Sequence, residues 1–181
     1  FFFAYVAMET GFVSWIHTYV EDIHYGTAAT ATGVATMFGG GFVFGRVLSV
    51  FLNSRFSAGK VVAGATISAV VAGGLFTLFS GAGVMLWVVT FLFAVSVAPQ
   101  YAAMLAFAET HLALSGKNTA SMIAAAGVGN LVMPWAIGQL FHKVGPEVFP
   151  VTTLVLATIT AAIGGAVALA VRNKTKTSQT V

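Results

Sequence analysis

The sequence predicts an all-α membrane protein of six transmembrane helices, and three observations carry that prediction. Of 181 residues, 58% are hydrophobic and 7% charged, with a mean hydropathy of +0.93, which is too little charge to clothe a soluble domain. Six apolar runs reach the length of about 20 residues that a helix needs to cross hydrocarbon. Lys and Arg, finally, gather in alternate connections between those runs.

Taken in order, the predicted spans are Phe1 to Tyr19, Thr27 to Leu52, Val61 to Phe79, Val84 to Ala108, Asn118 to His142 and Val148 to Val171. The segments between them, EDIHYG, NSRFSAGK, SGAG, ETHLALSGK and HKVGPE, are polar or glycine-bearing, and Pro146 stands where a helix can start. Residues 1–171 are thus expected to form the six-helix transmembrane unit and 172–181 a polar tail. With Phe1 first and no basic segment ahead of the first apolar run, the chain reads as a piece that lacks an N-terminal part.

Charge placement orients the bundle. Arg55 and Lys60 fall in the second connection, Lys117 in the fourth, and Arg172, Lys174 and Lys176 in the tail, whereas the first connection holds Glu21 and Asp22. The positive-inside rule puts the second and fourth connections and the C-terminus in the cytoplasm, so the first helix runs outward. This bias fits a multi-pass protein of the plasma membrane.

Several function classes drop out. There is no cysteine, so disulfides and thiolate metal sites are excluded. The net charge of +3 is dispersed between apolar runs and forms no basic face for nucleic acid. Four histidines lie in different segments without zinc-ligand spacing, and no HExxH, Walker A or GxSxG occurs, so neither an enzyme nor a metal site is expected.

What stands out is the polar minority inside the apolar runs. Glu9 lies about eleven residues, or roughly 16 Å, below the acidic outer connection, near the midplane. An ionised carboxylate there costs about 2.5–3.5 kcal/mol on insertion scales, so such groups face a bundle interior or a wet cavity. A buried carboxyl can switch between neutral and charged forms, the property a coupling-ion site needs. Asn130 is central in the fifth span, and Gln100 follows Pro99 in the fourth. Pro99 and Pro134 each remove a helical donor and free a carbonyl. Trp15, with Phe12 and Tyr19, shares one helical face and suits either an outer aromatic belt or a platform for a sugar ring. Gly41 and Gly45 form a GxxxG step that permits close helix approach. The third and sixth spans offer only Ser and Thr as polar side chains.

The stretch AYVAMETGFVSWIHTY resembles the seventh helix of the sugar-transporting branch of the major facilitator superfamily that includes sodium-dependent glucose transporters and the fucose and glucose/galactose symporters. In that branch a Tyr-Val-Gly-x-Glu pattern precedes a Gly-x-x-x-Trp-Ile step; here Ala7 replaces the glycine, and Glu9, Gly11 and Trp15 are kept. SGKNTASMIAAAGVGNLVMPWAIGQLF resembles the eleventh helix and its lead-in, with Asn130 where relatives often carry Glu. GRVLSVFLNSRFSAGK resembles a degenerate copy of the superfamily's loop signature, with Arg46 and Arg55 but no acidic partner.

The resemblance implies the C-terminal half of such a transporter, built as two inverted three-helix repeats and completed by another six helices ahead of Phe1. It implies that the first, second, fourth and fifth spans line a central cavity. The expected function is secondary active transport of a small polar solute, a hexose, coupled to sodium or protons. Glu9 would accept the coupling ion or a sugar hydroxyl, Gln100 and Asn130 would hydrogen-bond the solute, Trp15 would stack on it, and Arg46 and Arg55 would belong to a gating loop. No cofactor beyond the coupling ion is expected; the partners are the bilayer, the solute and the N-terminal six-helix half. A receptor or assembly partner of the same fold, and a transporter of an amphiphile, are the rival readings.

Overall fold

The computed structural model describes residues 1–81, 83–111 and 116–177, and all of the regular structure there is helical. The helices are α1 (Phe2–Asp22), α2 (Ala28–Arg55), α3 (Ala58–Phe79), α4 (Val84–Val97), α5 (Gln100–His111), α6 (Gly116–Val144) and α7 (Val148–Thr177). Each begins or ends within a few residues of a predicted span. The one interior break is in the fourth, where Ala98 and Pro99 separate α4 from α5. Pro99 has no N–H to give Val95, so the ladder stops there, and Pro99 O restarts it by accepting from Ala103 N at 3.1 Å. Pro134, by contrast, is carried inside a continuous α6.

Among the described residues, five helical spans are long and apolar enough to cross a membrane: α2, α3, α4 with α5, α6, and α7 up to Val171. α1 has the length, 21 residues, but Glu9, Thr10, Ser14, His17 and Thr18 dilute its apolar character. The bundle explains how it tolerates them, since α1 is flanked by α2, α5, α6 and α7. α7 continues past its predicted end to Thr177, so the predicted tail, 172–181, starts inside a helix; 178–181 lie outside the described residues, as do 112–115 of the fourth connection.

Phe12 of α1 is the centre of the core. Its ring lies 4.9 Å from Phe38 of α2, 5.1 Å from Phe76 of α3, 4.7 Å from Phe93 of α4 and 5.3 Å from Phe149 of α7. One side chain, 1% exposed, therefore joins five helices. Phe12 thus points into the core, although it shares a helical face with Trp15 and Tyr19. Tyr19 is buried too, and its hydroxyl donates to Ser80 Oγ at 2.7 Å.

Small residues set the closest approaches. A Cβ on Gly45 would meet Val95 O and Ala98 Cβ at 2.8 Å, and one on Gly41 would meet Phe91 O at 3.0 Å, so the GxxxG step is the α2–α4 seam. At the α1–α2 turn Gly26 takes φ +81, and Thr30 Oγ1 accepts from the Thr27 N–H at 3.2 Å to start α2. Other close pairs are α1 with α6, α3 with α7, and α3 with α4. Because α3 and α7 pack on each other, the polar side chains of the remaining helices are left to share an opening of their own.

Candidate functional site: a polar cleft between α1, α2, α5 and α6

That opening is a cleft of about 420 Å³ lined by Tyr5, Glu9 and Thr10 of α1, Arg46 of α2, Tyr101 of α5 and Asn130 of α6, among others. Its size is within the range of about 300–1,000 Å³ usual for small-molecule sites. The first, second, fourth and fifth spans supply it, and the third and sixth do not.

Helical spacing puts the α1 groups together. Tyr5 and Glu9 are four residues apart and so share a face. Thr10 Oγ1 donates to Val6 O at 2.7 Å, which satisfies the hydroxyl within its own helix. Glu9 is half-buried, while the Tyr5 hydroxyl is fully buried and interacts with Glu9 and with Arg46 across the cleft. The Tyr5 ring lies 5.8 Å from that of Tyr101, which closes the α5 side of the cleft.

Arg46 brings the opposite charge to the same cleft. It interacts electrostatically with Glu9, yet among the described residues the ion pair at contact distance is His17–Glu21, 3.4 Å apart at the α1 terminus. The Arg46 guanidinium lies 4.9 Å above the Phe42 ring, one turn back on α2. The cleft thus holds a carboxyl that accepts, a guanidinium that donates, and an amide and phenols that do both. Such a set suits a solute rich in hydroxyls.

The remaining predicted residues lie elsewhere. Gln100 is fully buried at the α4–α5 break, where its Nε2 donates to Ser96 O at 3.1 Å and to Ala65 O of α3 at 3.2 Å. It thereby caps a carbonyl freed by the break and ties it to α3, and its Oε1 is left without a partner. Trp15 is wedged in the α1–α6 seam, its Nε1 donating to Pro134 O at 2.8 Å and its ring stacked on Phe141 at 4.9 Å. The structure therefore brings Glu9 and Asn130 together and places neither Gln100 nor Trp15 with them.

Arg46 lies inside α2, within its predicted span, and Arg55, expected in the second connection, is the last residue of α2; only Phe56 and Ser57 separate α2 from α3. Arg55 ends α2 with its guanidinium 5.4 Å above Phe51, and Arg46 faces the cleft. Sequence reasoning missed Tyr5 and Tyr101 as cleft residues. The i−4 position of Tyr5 relative to Glu9 was the available signal.

The sequence is similar to transporters. It is 29% identical to sodium-dependent glucose transporter 1 of Danio rerio over 157 residues, which are 86% of this chain and 26% of that protein. It is 28% identical to sodium-dependent glucose transporter 1 of Xenopus laevis, over 89% of this chain and 33% of that protein. Human major facilitator superfamily domain-containing protein 4A is 29% identical over 63% of this chain and 22% of its own length. No protein-family model and no solved structure matches. The chain spans about a quarter to a third of the length of the curated relatives it matches most fully, and a segment of a transporter of the major facilitator type fits both that likeness and the helical bundle.

Proposed function

We propose that the chain is the C-terminal six-helix half of a secondary active transporter that moves a small polar solute, a hexose, by alternating access coupled to sodium or protons. The observation that carries this reading is the convergence of Glu9, Arg46 and Asn130 from three separate spans on one cleft at membrane depth. Intramembrane ionisable groups are expensive to keep, and a paired set facing a cavity is the arrangement in which they serve an ion or solute pathway. The names of the relatives supply the sugar and the sodium.

In this reading Glu9 takes the coupling ion or a solute hydroxyl, and Asn130 hydrogen-bonds the solute. Arg46 holds the charge of Glu9 in balance when no cation is bound. The buried Tyr5 hydroxyl, beside Glu9 and Arg46, steadies the two charged groups at the back of the cleft. Gln100 and Trp15 act one step back, by fixing the α4–α5 break and the α1–α6 seam that shape the cleft walls.

Helix pairing supports two inverted repeats, α1–α3 and α4–α7. Exchanging them, with α4 and α5 counted as one span, turns the α1–α6 pair into α4–α2 and the α3–α4 pair into α7–α1, and all four pairs are packed. The second six-helix half would face the open side of the cleft, where α6 exposes Leu131 and Trp135. The C-terminus would then be cytoplasmic, by the positive-inside rule.

The experiment is uptake of radiolabelled glucose into proteoliposomes that hold the chain together with its N-terminal half, under imposed sodium or proton gradients. Accumulation driven by one of the two gradients is expected. Glucose movement that ignores both gradients, or none above protein-free vesicles, would overturn the reading.

A further inference from the structure

α2 and α3 are joined by two residues yet separate along their length, and the gap is an apolar groove of about 580 Å³. Leu48 and Leu52 wall it on α2, Gly64 on α3, and Ser96 and Pro99 floor it at the α4–α5 break, while Lys60 stands at one end. It is separate from the Glu9 cleft and shares no residue with it.

Its chemistry selects hydrocarbon. The two hydroxyls along it are committed to their own helices, Ser96 Oγ to Leu92 O at 2.8 Å and Ser68 Oγ to Ala65 O at 3.0 Å, so a polar solute would find no free donor there. Lys60, by contrast, is exposed and meets no carboxylate among the described residues. From Lys60 to Ser68 the groove follows α3 for about 12 Å, which is most of one leaflet of a bilayer with a hydrocarbon core about 30 Å thick. An apolar slot one leaflet deep, with one exposed cation at its end, complements the acyl chain and head-group charge of an anionic lipid. We propose that this groove seats one acyl chain of an anionic phospholipid, with Lys60 on its phosphate.

Native mass spectrometry of the full chain in detergent, with phosphatidylglycerol or phosphatidylcholine of identical acyl chains, tests this. Phosphatidylglycerol is expected to be retained in preference, by about fivefold for a single basic residue at an anionic membrane surface, and Lys60→Gln to remove the preference. Gly64→Leu should abolish retention by filling the groove, since a Cβ there meets nothing within 4 Å; Gly74→Leu, equally open on the same helix, should leave it intact. Equal retention of both lipids, or retention that survives Gly64→Leu, would overturn the proposal. On the unaltered chain, a photoreactive phosphatidylglycerol should label peptides containing 60–68 and 95–99. Label elsewhere, or adducts between two copies through this face, would equally refute it.

Discussion

The Trp15 indole N–H donates to the Pro134 carbonyl at 2.8 Å across the α1–α6 seam, and a Cβ on Gly138 would stand 2.6 Å from the same ring. A tryptophan, a proline and a glycine from the two most motif-like stretches of the chain are thus one joint. Trp15→Phe keeps the stacking on Phe141 but removes the hydrogen bond that ties α1 to α6. The expected loss is about 1 kcal/mol of stability, read as a modest fall in the thermal unfolding midpoint in detergent, with rescue absent in Trp15→Leu.

Phe12 should be the most sensitive core position. Phe12→Ala empties the meeting point of five helices and is expected to cost about 3–5 kcal/mol. Phe3→Ala, at a residue 40% exposed, is the control and should change stability far less. Denaturant titration of both variants checks the contrast.

The glycine step separates packing from mere composition. Gly45→Ala forces a Cβ against backbone atoms of α4 and is expected to cost about 1–3 kcal/mol, whereas Gly39→Ala, on the same helix with nothing within 4 Å, should be neutral or slightly stabilising. Similar unfolding midpoints for the two would contradict the α2–α4 seam described above.

At the α4–α5 break, Gln100→Leu removes the side-chain donor to Ser96 O and the tie to Ala65 O of α3. A loss of about 1–3 kcal/mol is expected, and thermolysin, which cuts beside apolar residues, should cleave around the α4–α5 break faster than in the unaltered chain.

The fold was readable because hydrophobic length and the punctuation between runs are local properties: each predicted span has its helix, although Pro99 divides the fourth while Pro134, read the same way, leaves α6 continuous. What distant residues decide was less visible. The first span looked like one apolar run among six, and only the bundle shows that it is flanked by four helices and so can carry Glu9. Arg55 read as part of the second connection because charge usually marks a span's end, but α2 runs on through it. Gln100 looked like a ligand group because amides are rare in membranes, but carbonyls of Ser96 and Ala65, beside the α4–α5 break, claim it. Trp15 was ambiguous for a similar reason, since no local pattern says which ring or carbonyl it will meet across a seam.

The most direct measurement is the ion dependence of solute accumulation by Glu9→Gln, assayed in proteoliposomes with the N-terminal half present and compared with downhill exchange of the same solute. Gln keeps the shape of Glu9, removes its charge and its ability to bind a proton, and turns one acceptor oxygen into a donor. The account predicts that gradient-driven accumulation is lost while downhill exchange persists. Accumulation with unchanged ion dependence would contradict the assignment of Glu9 as the coupling carboxylate of the cleft.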